Sequence, residues 1–435
     1  MHFMALSRIK LAAVPAALVL GMVVGGEARA EVPLVKTADG WEVYTEGRVD
    51  AFFSYGRGDV IPQARPGETL PAGGGLDTGS DAIPSTKVDG MGMPIPNAQG
   101  TFESMRLRSG FLPNILAIGL RRKINEEWSF KAYTSLWATI DELSQRKTNP
   151  VYPDVREAYA IIESQRYGAL TAGKALDLFS RDAYLNDLLY HDGYALGYPG
   201  NIDTAGPTNG MIGFGVLAAF STAGIMYTSP NLVGLRASVG IYDPTTLPGG
   251  GDFDSTRSAR PEAELTYDLA TGPVKLHLFG NYANQSFYKN GSTKSATGYG
   301  IGYGTRLEVG PAHVGFAGHW GRGVGLQYAF QPGEIGVTQD LQLRFFDGYS
   351  VFAQVVAGSF DFNFGWGESR ALALPEDTAM GNVSLPTQQA YSGGIVLHAT
   401  NYLHFDVDYM HAFVDWSLGE KQVMDFINAG VIVTW

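Results

Sequence analysis

Residues 402–416 read YLHFDVDYMHAFVDW. Leu403, Phe405, Val407, Tyr409 and Phe413 recur at alternate positions, with His404, Asp406 and Asp408 between them. Successive side chains of a β-strand point to opposite faces, so this stretch is a ribbon with one apolar side and one charged side. The same pattern returns in 273–279, where Val274, Leu276 and Leu278 alternate with Lys275 and His277. In 233–241 Leu235, Ala237, Val239 and Ile241 alternate with Arg236 and Ser238.

Outward from these three stretches the chain keeps one rhythm. Strands of roughly ten residues are joined alternately by short turns (SPNLVG at 229–234, ATNY at 399–402) and by longer connections. The count comes to about 16 strands, including 41–54, 104–124, 154–164 and 422–435. Pro113 cannot donate to a sheet ladder, so a bulge with a shift of register is expected there. A soluble sandwich also alternates, but it has no strict exchange of short turns and long loops. An even-stranded transmembrane barrel has that exchange built in, and closure removes the edges a bilayer does not tolerate. The expected fold class is therefore all-β, a closed antiparallel transmembrane barrel.

The ends agree with that reading. Arg8 and Lys10 precede the apolar run LAAVPAALVLGMVVGG, and Ala28-Arg29-Ala30 has the form of a signal-peptidase site. Residues 1–30 are thus expected to be a secretory signal, and 31–435 one barrel domain. No other run approaches the roughly 20 apolar residues of a spanning helix. The chain carries a formal charge of −12, and loss of Arg8, Lys10, Arg29 and Glu27 takes it to −14, a balance that disfavours nucleic acid. It has no cysteine, hence neither disulfides nor thiolate metal sites. Mean hydropathy is −0.04, as when a polar lumen offsets an apolar outer face.

The closing stretch KQVMDFINAGVIVTW places Ile427, Ala429, Val431, Val433 and Trp435 on one face. It resembles the last strand of Gram-negative outer-membrane barrels, the strand that the barrel-assembly machinery reads in that family. YTEGRVDAFFSYG (44–56), AIGLRRKINEEWSFKAYTSLW (117–137), VREAYAIIESQRYGALTAGK (155–174) and MYTSPNLVGLRASVGIY (226–242) resemble successive strands of the general trimeric porins. The resemblance spans essentially the mature chain. It implies a homotrimer in contact with outer-membrane lipid and lipopolysaccharide, and a third loop folded into the barrel as a constriction. The family's Pro-Glu-Phe-Gly-Gly-Asp loop signature is replaced by LFSRDAYLNDLLYHDG (178–193), and RLRSGFLPN (106–114) has no counterpart in the family pattern.

That loop is the stretch 175–219, about 45 residues without strand alternation, a length normally functional or disordered. Its aromatic and aliphatic content argues for order. Leu185, Leu188 and Leu189 have the spacing of a short helix, with Ser180 or Asp182 as N-cap. The charges it offers to a constriction are Asp177, Arg181, Asp182, Asp187, His191 and Asp192. Facing them, the polar sides of the first strands offer a basic wall of Arg48, Arg106, Arg108, Arg121, Lys131, Arg156 and Lys174. Each of these also has a plain alternative, pairing with Glu42, Glu46 or Asp50 inside the lumen.

A channel needs no catalytic set, metal or cofactor; its mechanism is bore and field. The expected function is passive diffusion of small hydrophilic solutes and ions. The alternative is a channel selective for a sugar or an anion such as phosphate, with Tyr44, Phe52, Tyr133 and Trp137 as aromatic lining. An enzyme is disfavoured, since no G-x-S-x-G is present and His398, His404 and His411 read more simply as lumen histidines. Asp77, Asp81 and Asp89 in the Gly/Pro-rich loop 56–101 read as solvated rather than as a Ca²⁺ site.

Overall fold

The computed structural model describes residues 31–435 apart from 63–73, 77–81, 84, 96–97, 141–153, 190–209, 245–252, 255–256, 331–335, 339 and 381–383. The expected signal segment, His191, Asp192, Asp77 and Asp81 lie outside the described residues.

The first third of the chain forms β1 (Val32–Lys36), β2 (Glu42–Asp59), β3 (Ala82–Ile83), β4 (Thr101–Arg108), β5 (Asn114–Lys123) and β6 (Trp128–Ala138). After β7 (Asp154–Ser164) and β8 (Gly168–Leu176) comes one turn of helix, α1 (Arg181–Leu185). The middle contributes β9 (Ser221–Thr228), β10 (Leu235–Tyr242), β11 (Phe253–Asp254), β12 (Arg260–Thr271), β13 (Val274–Lys289) and β14 (Ser295–Val309). Then follow β15 (Ala312–Arg322), β16 (Phe345–Ala357), β17 (Phe360–Leu372) and the short helix α2 (Pro375–Met380). β18 (Pro386–His398), β19 (Leu403–Trp416) and β20 (Lys421–Thr434) complete the chain.

Each long strand pairs antiparallel with the next, and β20 closes on β2 from Arg48↔Thr434 to Gly58↔Met424. β4 and β5 lie on the other edge of β2 as two halves of one wall strand. The result is a closed antiparallel barrel of sixteen strands, as the sequence rhythm implied. β1 pairs with the lower part of β2, continuing the seam where β20 ends at Trp435.

The two halves of the second wall strand are out of register. Arg108 stands opposite Phe52 and Ile115 opposite Arg48, so residues 109–114 face residues 49–51. This is the break expected at Pro113. It is held by Asp50, whose Oδ1 accepts the Gly110 N–H at 2.9 Å and whose own N–H donates to Asn114 Oδ1 at 2.8 Å.

Connections alternate in length around the barrel. One end carries tight turns, 272–273, 310–311 and 358–359 among them, with Gly272, Gly310 and Gly358 at positive φ. The other end carries longer segments, including 60–100, 177–220 and 323–344. Side-chain direction follows the alternation. Leu278, Val351, Val407 and Ile427 are exposed on the outer surface, while Phe52, Gln354, Asp408 and Asn428 face inward and are buried.

The lumen is not empty. The described parts of 177–220 run along the inner face of β12 to β18. Gly215 N–H donates to Ser369 Oγ (2.7 Å), Ser350 Oγ to Phe214 O (3.2 Å) and Gln388 Nε2 to Gly213 O (2.9 Å). Gln388 Oε1 also accepts the Gly75 N–H at 2.7 Å, which fastens a second loop-end segment to the same wall. Gly215 sits at φ 93° with the Tyr349 carbonyl against it, a position open only to glycine.

Candidate functional site: the inner wall and the inward segment

The basic residues expected on the first strands fall at four places on the wall. Arg121 and Lys131 are neighbours across β5 and β6 and flank the buried ring of Tyr44, at 4.8 Å and 5.7 Å from its centroid. Arg121 is ion-paired with Glu31 and Glu42. Further up the wall, Arg48 is buried and bound to Asp50 at 2.8 Å. These pairs follow the plain alternative, in which lumen charges satisfy one another.

Arg106 and Arg108 point inward from β4, in register with Ser54 and Phe52. Continuing across the seam, Ser54 Oγ is hydrogen-bonded to Asn428 Oδ1, and Asn428 Nδ2 donates to Asp408 Oδ1 at 2.7 Å. Phe52 in turn is level with Gly430, and Gly430 with Asp406. The acidic residues that share cross-strand rungs with these arginines are therefore Asp406 and Asp408 of β19.

Arg156 and Lys174 reach the wall differently. Arg156 is the extra residue of a bulge, where Ser135 and Leu136 face Glu157 and Val155. Its guanidinium lies 4.9 Å from the Trp137 ring and 3.5 Å from Asp154. Lys174 pairs with Ala158 and Ala223, on the outward parity of exposed Leu170, and not on the inner face expected of it. From the rim it donates to Val155 O at 2.7 Å and meets Asp154 at 3.6 Å.

The inward segment corrects two expectations. First, the helix covers Arg181–Leu185, not 185–189, because Asp187 closes a different turn by accepting the N–H groups of Leu189 (2.9 Å) and Met211 (2.7 Å). Ser180 precedes the helix at φ 65°, a left-handed conformation unlike the extended one of an N-cap, and Asp182 lies within the helix. Second, Asp177 and Asp182 turn to the wall the segment lies against, and Asp187 to amides of the segment itself, rather than to the arginines of the first strands. Asp177 is ion-paired with Arg260, which also holds Glu262 at 2.7 Å. Arg181 pairs with Glu264, and Asp182 stands 3.7 Å from His277. Glu262 Oε2 further accepts the N–H groups of Leu178 and Phe179, both at 2.8 Å. Arg260, Glu262 and Glu264 were readable as every second residue of one strand. Nothing in the sequence matched them to this loop.

Burial raises two of these loop carboxylates. Desolvation pushes Asp187 up to about 7, and desolvation together with the neighbouring Glu262 charge pushes Asp177 upward. By contrast, the forked bond from Arg344 (2.8 and 2.9 Å) holds Asp377 of α2 below the usual carboxylate range.

Inward side chains also change character along the barrel axis. Stepping toward the turn end, Phe279 gives way to His277, Phe352 to Gln354, Met410 to Asp408 and Phe426 to Asn428. On the loop side of that step one contiguous apolar cluster joins Leu112 of the β4–β5 break, Leu185, Leu188, Met211 and Phe214 of the inward segment, and wall residues such as Phe352 and Met424. On the turn side lies a cavity of about 1000 Å³, roofed by Leu185, Asn186 and Leu188 and walled by charged residues including Arg236, His277, Arg306 and Asp361. Such an arrangement offers a solute an apolar surface on one side and charged groups of both signs on the other.

No family model matches the chain, and no curated protein matches it. Solved structures do. The chain is similar to the outer membrane channel DcaP of Acinetobacter baumannii over 92% of its own length and 99% of that chain, with a TM-score of 0.64 at 12% identity. It is similar to the anion-selective porin from Comamonas acidovorans (91% and 100% covered, TM-score 0.56, 11% identity). A third likeness is to OmpF of Salmonella typhi in complex with daunomycin (93% and 100% covered, TM-score 0.51, 10% identity). At these identities what is shared is the fold, that of outer-membrane porins.

Proposed function

We propose that the chain is a passive diffusion channel of the Gram-negative outer membrane, admitting small water-soluble solutes through its lumen. The observation that carries this reading is the sidedness of the closed barrel: exposed Leu278, Val407 and Ile427 outside, and Gln354, Asp408 and Asn428 inside. A bilayer accepts a sheet only when every backbone group is paired, and closure of β20 on β2 supplies that pairing. The described parts of 177–220 line the inner wall and narrow the bore, so they set which solutes pass. The fold shared with porins supports the channel over an enzyme. It also favours a homotrimer set in lipid and lipopolysaccharide, assembled through the strand ending at Trp435.

Planar-bilayer recording tests the reading. The refolded protein should insert as discrete steps of ohmic conductance, and reversal potentials in a salt gradient should report its ion preference. Absence of conductance from correctly folded barrel would end it.

A second reading, selectivity for one class of solute, is favoured by the cavity below the segment. Arg236, His277, Arg306 and Asp361 offer both signs of charge to a bound molecule there. Saturable block of the current by a sugar or by phosphate, against none by an inert polyol, would select it.

A further inference from the structure

We infer that this channel prefers small organic solutes that carry an apolar body, such as an alkyl or aromatic side chain, over equally small solutes that are polar throughout. The inference rests on the channel reading above and names the solute class of that same lumen.

Side chains that face an open water-filled bore are wetted. Inward side chains at one level of this barrel are not: Phe352 is 4%, Met424 1% and Met410 0% exposed. They belong to one apolar cluster fed from the wall on many sides. β4 gives Phe102, β13 Phe279, β16 Phe352, β19 Met410 and β20 Phe426. The break between β4 and β5 adds Leu112, and the inward segment adds its leucines and Met211. A solute that travels from the loop end to the turn end has to part or skirt this layer. A bare ion or a polyol gives up hydration there and gains nothing in return. A solute with an apolar body trades water for contact with Phe, Leu and Met, and Met is the side chain best able to repack around varied shapes.

The two sides of the layer fit that division of labour. Immediately below it, the next inward residue on the same strand is polar: His277 under Phe279, Asp408 under Met410 and Asn428 under Phe426. The mixed-charge cavity then receives the polar head after the body has been admitted. In the strands this change of character takes a single two-residue step, so the apolar and polar zones abut.

Liposome swelling with the whole protein tests this. Leucine and glutamine are similar in size and both zwitterionic, and protein-free vesicles correct for leak through lipid. The expected result is that leucine enters at least threefold faster than glutamine. Met410→Ser and Phe426→Ser, shown to be folded by heat-modifiable gel mobility, should bring that ratio to one or below; Met424→Ser serves if either variant fails to fold. Glutamine entering as fast as leucine in the unaltered protein would overturn the inference and leave the channel standing. So would a leucine preference that folded variants retain, since the layer would then not be its source. If neither amino acid nor any smaller solute enters, the channel reading itself has failed.

Discussion

Arg260 is buried between two carboxylates, Asp177 at the root of the inward segment and Glu262 on its own strand. Removing one member of such a group strands the others in a site that water does not reach, which costs about 3–5 kcal/mol. Arg260→Met should therefore destabilise the barrel by that order in urea unfolding from detergent micelles, and Asp177→Asn added to it should restore part of the loss. Asp187 makes the opposite kind of prediction. Burial raises its carboxyl from 3.8 to about 7, so between those values the folded chain holds a proton that the unfolded chain has released. Stability linked to this group is full below about 4 and is lost as pH rises through about 7. The amides of Leu189 and Met211, which donate to it, should be better protected from hydrogen exchange at pH 5 than at pH 8 after intrinsic rates are divided out. Asp187→Asn, which cannot ionise, should abolish that difference.

Among the elements, those with strong alternation were legible from the residues alone. β7 runs from Asp154 to Ser164, the bounds its pattern implies, and Pro113 does sit in a register break. Positions that depend on a neighbour were not. Small residues dominate β8, so its parity is faint, and Lys174 stands outward because Asp154 and the Val155 carbonyl await it at the rim. Arg156 reads as an ordinary strand residue, yet a bulge redirects it over Trp137. The signs of the loop charges were plain, but their direction was decided by Arg260 and His277, far away in sequence. Two substitutions test the elements. Val407→Arg on the outer face should cost about 2–4 kcal/mol of stability in a bilayer. Gly215→Val would need a strained backbone and would collide with the Tyr349 carbonyl. It should release 210–220 from the wall, seen as new proteolytic cleavage there while the strands resist.

At the scale of the molecule, three facts belong together: a closed barrel, a segment fastened to its inner wall, and a lumen divided into apolar and polar zones. The account stands on conduction passing beside that segment. Since the chain has no cysteine, a single Asn186→Cys introduces one thiol at the roof of the cavity. A charged methanethiosulfonate reagent added during single-channel recording is the most direct test, with Leu278→Cys on the outer face as control. The account predicts that modification at 186 cuts the current by at least half while the control is unaffected. Full current through a channel modified at 186 would contradict it.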